Sequence, residues 1–176
     1  MSIVSMALLF QTEPEVKRTF ERKGRSVVKT RNEKYLELYE LDKPDAEISV
    51  EDGVVTFPAG RHGFSSGNIM VIDSYGGGKQ LNFLADGIVE YEIPDDAPTK
   101  KYKVTLEVCT VSAKQTPLSL KVNDSDTAVI KINIPYTVGK WSTTDAVELD
   151  AEPGSVLRFS RPNGSLGLAI KKIILA

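Results

Sequence analysis

Cysteine and histidine are nearly missing from this chain of 176 residues, since Cys109 and His62 are the only ones. A single cysteine excludes an intrachain disulfide and any metal site built on several thiolates. A single histidine excludes zinc sites made of several imidazoles, and a Ser-His-Asp hydrolase would have to use His62, in the loop GRHGF. Familiar hydrolytic chemistry is therefore not expected, and we predict no catalytic residue.

An excess of charge of one sign and a long hydrophobic run are missing as well. Lys and Arg number 22 against 24 Asp and Glu, a formal net charge of −2, which gives no sign of nucleic-acid binding. The apolar opening stretch MSIVSMALLF is shorter than the ~20 residues that span a bilayer. It also lacks the basic start and small-residue cleavage site of a secretion signal. We expect neither a nucleic-acid nor a membrane partner, and an extracellular or periplasmic location only within a longer exported protein.

Charge density divides the chain into two segments. Residues 12–42 are rich in charge, with Pro14 and Gly24 placed to begin and end a short helix. The run KYLELYEL then alternates as a strand does. We predict that residues 1–44 form a helical and extended segment, or the remnant of a preceding domain, and that residues 45–176 form a separate module.

Short apolar alternations recur through this module at the ~8–12-residue spacing that is typical of β-sandwiches. Residues that favour turns separate them. The predicted strands are GVVTF, NIMVID, KQLNFL, GIVEYEI, KYKVTLEVCTV, PLSLKV, AVIKINI, AVELD, SVLRF and LAIKKIIL. About nine or ten strands with almost no helix predict an all-β fold of two antiparallel sheets packed face to face.

The alternation also assigns faces. In KYKVTLEVCTV one face is predicted to be core: Tyr102, Val104, Leu106, Val108 and Thr110. The other face is predicted to be mostly wet, although Cys109, which lies on it, is interpreted as a small buried hydrophobe. Arg158 alternates with Leu157 and Phe159 and is predicted to lie on the solvent side.

The segments GGGKQLNFLADGIVEYEIPDDAPTKKYKVTLEVCT, PLSLKVN, IPYTVGKW and LAIKKIILA together resemble carbohydrate-binding modules of the galactose-binding-like, jelly-roll type. The chain is also similar to C-terminal modules of large exported bacterial proteins. The resemblance covers residues 45–176 and implies a jelly-roll β-sandwich, a polysaccharide or oligosaccharide partner, and a linked catalytic domain. The stretch RSVVKTRNEKYLELYELDKPDAE is similar to the end of sulfatase-type hydrolases, which implies that the module followed a catalytic domain.

This chain differs from the family pattern in its last strand. Sugar-binding modules of this type close on Asn-apolar-Asp, whose Asn reaches the sugar and whose Asp helps to bind calcium, whereas this chain has Ala169-Ile170-Lys171. Glu47 matches another calcium ligand of the family. Calcium takes ~6–8 oxygen ligands and a lysine opposes it. We expect no cofactor, with Glu47 as the one candidate calcium ligand.

Sugar binding needs an aromatic face for the pyranose ring and polar groups for its hydroxyls. Trp141 follows Gly139 in a segment of turn residues, where it either caps the core or forms such a platform. The candidate aromatic residues are Trp141, Tyr136 and Tyr75; the candidate polar residues are Asp73, Lys79, Gln80 and Asn163, with Arg61 and His62 in a second loop.

Three functions remain open at this point. The leading hypothesis is a non-catalytic carbohydrate-binding module that targets a linked or partner enzyme to polysaccharide. The alternative is a structural or protein-interaction module without a sugar ligand, which the missing Asn and Asp favour. An enzyme that uses His62 with Asp73 has the least support.

Overall fold

The computed structural model describes residues 46–74, 77–123 and 128–176, and these ranges contain eleven strands and no helix. The strands are β1 (Ser49–Glu51), β2 (Val54–Pro58), β3 (Phe64–Asp73), β4 (Lys79–Glu92), β5 (Lys100–Cys109), β6 (Leu118–Val122), β7 (Ile130–Ile132), β8 (Ser142–Thr143), β9 (Val147–Ala151), β10 (Val156–Arg161) and β11 (Leu168–Leu175). Within the same ranges there is accordingly no helix long and apolar enough to cross a membrane. The predicted all-β fold is confirmed. The predicted segment 1–44 and Tyr75 lie outside the described residues.

The strands form one antiparallel sheet that curls into the two layers of a sandwich. One layer runs β3-β4-β10-β6-β7, and the other runs β1-β2-β11-β5, with β8 and β9 along the far edge of β5. β11 joins the layers, because Leu168–Ile170 pairs with β4 and Lys172–Leu175 pairs with β2. Its pairing with β5 shifts register between Ile170 and Lys172. Lys171 is therefore the extra residue of a β-bulge.

Ten apolar runs of the sequence correspond to nine strands, since KQLNFL and GIVEYEI belong to the single 14-residue strand β4. The sequence Ala85-Asp86-Gly87 suggests a break between them, but β3 pairs with β4 on both sides of it. Gly67 lies opposite Gly87 there, and a Cβ on Gly67 would come 2.8 Å from the Gly87 Cα. Two glycines in register thus allow the backbones to approach where the sequence suggested a turn.

The inner faces of the two layers make one hydrophobic core. The predicted core face of β5 is confirmed, since Tyr102, Val104, Leu106, Val108 and Thr110 are all buried. The prediction that Cys109 is buried is wrong: it is only partly buried, because it lies on the face of β5 opposite the core. Arg158 also faces outward, as predicted, and its Nε lies 2.6 Å from the Glu90 carboxylate on the neighbouring strand.

An aromatic cluster fills the centre of the core. Tyr91 packs against Phe57 and Phe159, with ring centroids 5.5 and 5.9 Å away in tilted and edge-on geometries. Its hydroxyl donates a hydrogen bond of 2.8 Å to the Ala59 carbonyl. Burying each such ring stabilises the fold by about 1.5–3 kcal/mol. Burial also raises the pKa of Tyr91, because the phenolate cannot be solvated there.

Candidate functional site

Three loops meet beside the bulge of β11, and we call them the loop cluster: residues 110–117, 133–141 and 162–167. Thr110 and Thr137 join the first two loops. The backbone N–H of Thr110 donates to the Thr137 hydroxyl at 2.8 Å, and the N–H of Thr137 donates to the Thr110 hydroxyl at 3.0 Å. Thr116 and Ser165 join the first and third through hydroxyls 2.7 Å apart. The loops therefore hold a defined geometry at one end of the β5, β10 and β11 strands.

Trp141 is the last residue of the second loop. Val138 and Gly139 both have positive φ, at 55° and 76°, and the Gly139 N–H donates to the Thr110 carbonyl at 2.8 Å. This turn returns the chain to β5, where Ser142 pairs with Val108. Trp141 is held just before that pairing and is partly buried, neither a fully covered core residue nor a fully open platform.

A lysine lies against the indole. The Lys171 Nζ is 5.8 Å from the centre of the Trp141 ring, within the range of a cation–π contact. The bulge directs Lys171 there, while the next residue, Lys172, pairs with the Glu107 carboxylate at 3.3 Å. The ammonium of Lys171 is thus the charged group next to the candidate aromatic platform. The sequence analysis did not identify this contact, because it depends on the bulge of β11.

Exposed apolar side chains lie in the same loop cluster as Trp141. Tyr136 is 49% exposed, and Val138 and Val111 are 66% and 79% exposed. Val111 passes close to Gly139, with its Cγ1 3.9 Å from the place a Cβ would take. Asn163, the other predicted residue in this cluster, is exposed in the third loop. The structure thus brings Trp141, Tyr136 and Asn163 to one end of the sandwich.

The remaining predicted polar residues lie elsewhere. Asp73 and Lys79 form an ion pair across the base of the β3–β4 hairpin, and Gln80 donates to Asn82 at 2.9 Å. These side chains therefore bind one another or a neighbour on the hairpin.

Arg61 and His62 lie in the loop between β2 and β3. Arg61 binds the Glu47 carboxylate at 2.5 Å and the Ala46 carbonyl at 3.2 Å. His62 packs its edge against Tyr91, with ring centroids 6.4 Å apart. In the described ranges no three His, Cys, Asp or Glu side chains gather as metal ligands would. A guanidinium on the Glu47 carboxylate opposes a cation there, and its calcium role stays a prediction.

Arg161 supports the loop cluster from inside, a role that sequence reasoning missed. It is 4% exposed and donates to the Leu166 carbonyl at 2.5 Å and to the Gln115 Oε1 at 3.0 Å. It also donates to the Thr116 Oγ1 at 2.9 Å. Burial lowers the pKa of Arg161. The sequence did contain a signal for this burial. Burial alternates along β10, and Arg161, two residues after the core residue Phe159, falls on the core side.

A groove of about 440 Å³ opens at the opposite end of the sandwich. Its walls carry no aromatic side chain and none of the residues predicted from the sequence: they are Thr99, Lys100, Lys101, Val122, Asn123, Asp150, Ala151, Glu152 and Ser155. Because stacking on a sugar needs an aromatic face, the loop cluster is the better candidate site.

No family model and no curated protein matches the chain, but solved structures do. The C-terminal CBM6 of LamC, a marine laminarinase from Zobellia galactanivorans, matches with a TM-score of 0.55 at 14% identity, over 70% of this chain and 98% of that one. A family 35 carbohydrate-binding module from Clostridium thermocellum matches with 0.56 at 13%, over 69% and 96%. The module CBM6cm-2 of Cellvibrio mixtus lichenase 5A, in complex with cellotriose, matches with 0.51 at 22%, over 69% and 95%.

These modules are β-sandwiches that correspond to this chain over nearly their whole length. The resemblance predicted from the sequence is thereby confirmed for the fold. Residues 46–74, 77–123 and 128–176 have the antiparallel, jelly-roll β-sandwich of CBM6 and CBM35 carbohydrate-binding modules.

Proposed function

We propose that this chain is a non-catalytic carbohydrate-binding module whose loop cluster binds a polysaccharide or oligosaccharide. The observation that carries the proposal is a partly buried indole and a half-exposed tyrosine in one loop, which hydrogen bonds brace against its neighbours. An aromatic ring held in this way offers an apolar face at little entropic cost, since the loop is ordered before the sugar arrives.

The other members of the cluster supply the rest of a sugar site. Val138 and Val111 extend the apolar surface beyond Tyr136. Asn163 adds an amide that both donates and accepts, as a hydroxyl-rich ligand requires. One end of the site then covers the C–H face of a pyranose, while the other orients its hydroxyls.

The likeness to modules of carbohydrate-active enzymes extends the proposal to a partner. The LamC structure is a module of a laminarinase. By binding glycan without reacting with it, this chain would hold a linked or partner enzyme near polysaccharide and raise its local concentration there.

Alanine substitutions of two equally exposed aromatic residues, one inside the candidate site and one outside it, test the proposal. Tyr136 in the loop cluster and Phe64 at the start of β3 are 49% and 50% exposed, so replacing either by alanine removes a similar half-exposed ring. Trp141→Ala and Tyr136→Ala are expected to weaken binding to the recognised glycan by about tenfold or more, the equivalent of ~1.4 kcal/mol. Phe64→Ala is expected to leave it unchanged.

Affinity is measured by isothermal titration after a glycan-array screen, and folding by circular dichroism. If no glycan binds the folded wild-type protein, or if Trp141→Ala retains full affinity, the proposal is wrong. The alternative, a structural or protein-interaction module, would then be favoured by Lys171 against the indole and by the absence of the family's Asn and Asp.

A further inference from the structure

One dipeptide of the loop cluster combines an exposed side-chain amide with a glycine that follows it directly. Asn163-Gly164 is the only Asn-Gly pair in the chain, and both residues are exposed. We propose that Asn163 is a modification site, where the amide converts spontaneously to aspartate or isoaspartate after attack by the Gly164 backbone nitrogen. This reaction needs no ligand, so it goes beyond the proposed function and does not depend on it.

The reaction uses the chain itself and one water molecule. The Gly164 nitrogen forms a bond to the side-chain carbonyl carbon of Asn163, the bond from that carbon to the amide nitrogen breaks, and ammonia leaves with the proton of the Gly164 N–H. Water then opens the resulting cyclic imide. Opening at the side-chain carbonyl gives aspartate, whereas opening at the main-chain carbonyl gives isoaspartate, in which the backbone runs through the side chain and is longer by one methylene.

A β-turn presents the two reacting groups to solvent. The Ser165 N–H donates to the Pro162 carbonyl, and Gly164 has a φ of 79°, as the third position of a type II turn requires. Asn163 is thus the second residue of the turn. The hydrogen bond that closes the turn is 3.3 Å long, beyond the usual range, so the turn can open at little cost to bring nitrogen and carbonyl together.

The attacking nitrogen is not shielded. A Cβ placed on Gly164 would meet no heavy atom within 4 Å, so the space around this residue is open. Among the described residues, no hydrogen bond engages the Gly164 N–H or the Asn163 side chain. Glycine also has no side chain of its own to block the approach of the carbonyl carbon. Both partners are therefore free to react.

The other asparagines in the described ranges serve as internal controls. Three of them use their side chains in hydrogen bonds: Asn68, Asn82 and Asn123. The fourth, Asn133, is exposed in another loop of the cluster, but Ile134 follows it. A β-branched side chain crowds its own backbone nitrogen and restricts its neighbour's approach. Asn133 therefore separates the effect of exposure from that of the following residue.

The product changes the third loop of the cluster in two ways. A carboxylate replaces an amide that both donates and accepts, so position 163 loses its donors and the chain gains a negative charge. Isoaspartate also lengthens the backbone two residues before Ser165, which is 4% exposed and whose hydroxyl lies 2.7 Å from that of Thr116. The modification thus alters both the chemistry and the geometry of this loop.

Mass spectrometry of the aged protein tests the proposal. Wild type is kept at pH 8 and 37 °C, both folded and in guanidinium chloride, where the dipeptide reacts as in an unstructured chain. Gly164→Ala and Asn163→Gln are kept in the same way, and circular dichroism shows whether they are folded. Peptide mapping locates each mass increase of ~1 Da, and chromatography separates the aspartate and isoaspartate products.

We expect the Asn163 peptide of folded wild type to gain mass first and to yield isoaspartate as well as aspartate. Gly164→Ala should react about tenfold more slowly, because the added methyl group hinders the attack. Asn163→Gln should show no gain at this peptide, since its longer side chain would have to close a larger ring. The Asn133 peptide should stay unchanged over the same time.

Three results would overturn the proposal: no conversion of folded wild type while the guanidinium sample converts, conversion of Asn133 as fast as that of Asn163, or conversion of Gly164→Ala at the wild-type rate. Glycan titrations use freshly prepared protein, so a failure of the proposed function is seen separately and leaves this chemistry untouched.

Discussion

Arg161 is a buried cation whose hydrogen-bond acceptors in the described part of the chain are all uncharged, and its replacement by methionine tests how the loop cluster is held. Its guanidinium donates to the Leu166 carbonyl, the Gln115 side chain, and both the carbonyl and hydroxyl oxygens of Thr116, at 2.5 to 3.3 Å. Methionine retains much of the apolar stem and removes every donor. The acceptors then lose their partner in a place that water reaches poorly.

The expected cost follows from two opposing effects. Hydrogen bonds from a charged donor contribute about 1.5–3 kcal/mol each, so four of them would total at least ~6 kcal/mol. Burying the cation offsets much of this, since a well-packed apolar side chain carries no desolvation penalty. We expect Arg161→Met to lower the free energy of unfolding by about 2–4 kcal/mol, or roughly 10 °C in Tm for a domain of this size.

Arg158→Met is the matched control. Arg158 lies on the same strand but faces outward and pairs with Glu90, with side-chain exposures of 34% and 18%. An ion pair with that much contact with solvent contributes at most about 1 kcal/mol. Urea unfolding followed by circular dichroism and by the fluorescence of Trp141 measures both variants. Equal losses, or a loss below ~0.5 kcal/mol for Arg161→Met, would refute the reasoning.

Two further predictions concern the backbone and the core. Gly67 and Gly164 have similar positive φ, 81° and 79°, but a Cβ meets the Gly87 Cα at 2.8 Å at the first position and nothing within 4 Å at the second. Thermal unfolding should therefore show Gly67→Ala to be destabilised by about 1–3 kcal/mol more than Gly164→Ala, and equal Tm values would contradict the clash. Because burial raises the pKa of Tyr91 above its unfolded value near ~10, its contribution to stability is fully present below pH ~10 and is lost as pH rises toward the native pKa. Tyr91→Phe should lessen that alkaline loss in urea titrations at pH 8 to 11, and an unchanged slope would show that other groups cause it.

Most strands were predictable because their alternation is a local property of the chain. The run of β5 identified its buried face residue by residue, since side chains alternate with a period of two whatever their neighbours are. β4 was predicted as two strands because Gly87 is a turn signal on its own. In the structure Gly87 lies opposite Gly67, and β3 pairs with β4 on both sides of a register shift at that point. β1 and β8, with three and two residues, are too short to show a period.

The candidate site was predictable in part. Trp141, Tyr136 and Asn163 belong to loops that the structure brings together, whereas Asp73, Lys79 and Gln80 bind one another or their neighbours on the β3–β4 hairpin. Which loops meet depends on strand order, and β5 and β11 are adjacent although almost sixty residues separate them in the chain. No local pattern carries that information.

By itself, the sequence determined the fold class, the absence of a cysteine-based or multi-histidine metal site, and the core face of the longer strands. Those follow from composition and from the period of the strand. Only the tertiary structure decided that Lys171 lies against Trp141 and that Arg161 braces the loops. Both contacts depend on a register shift and a strand pairing that join distant segments, and on the burial that results when two layers close over a core.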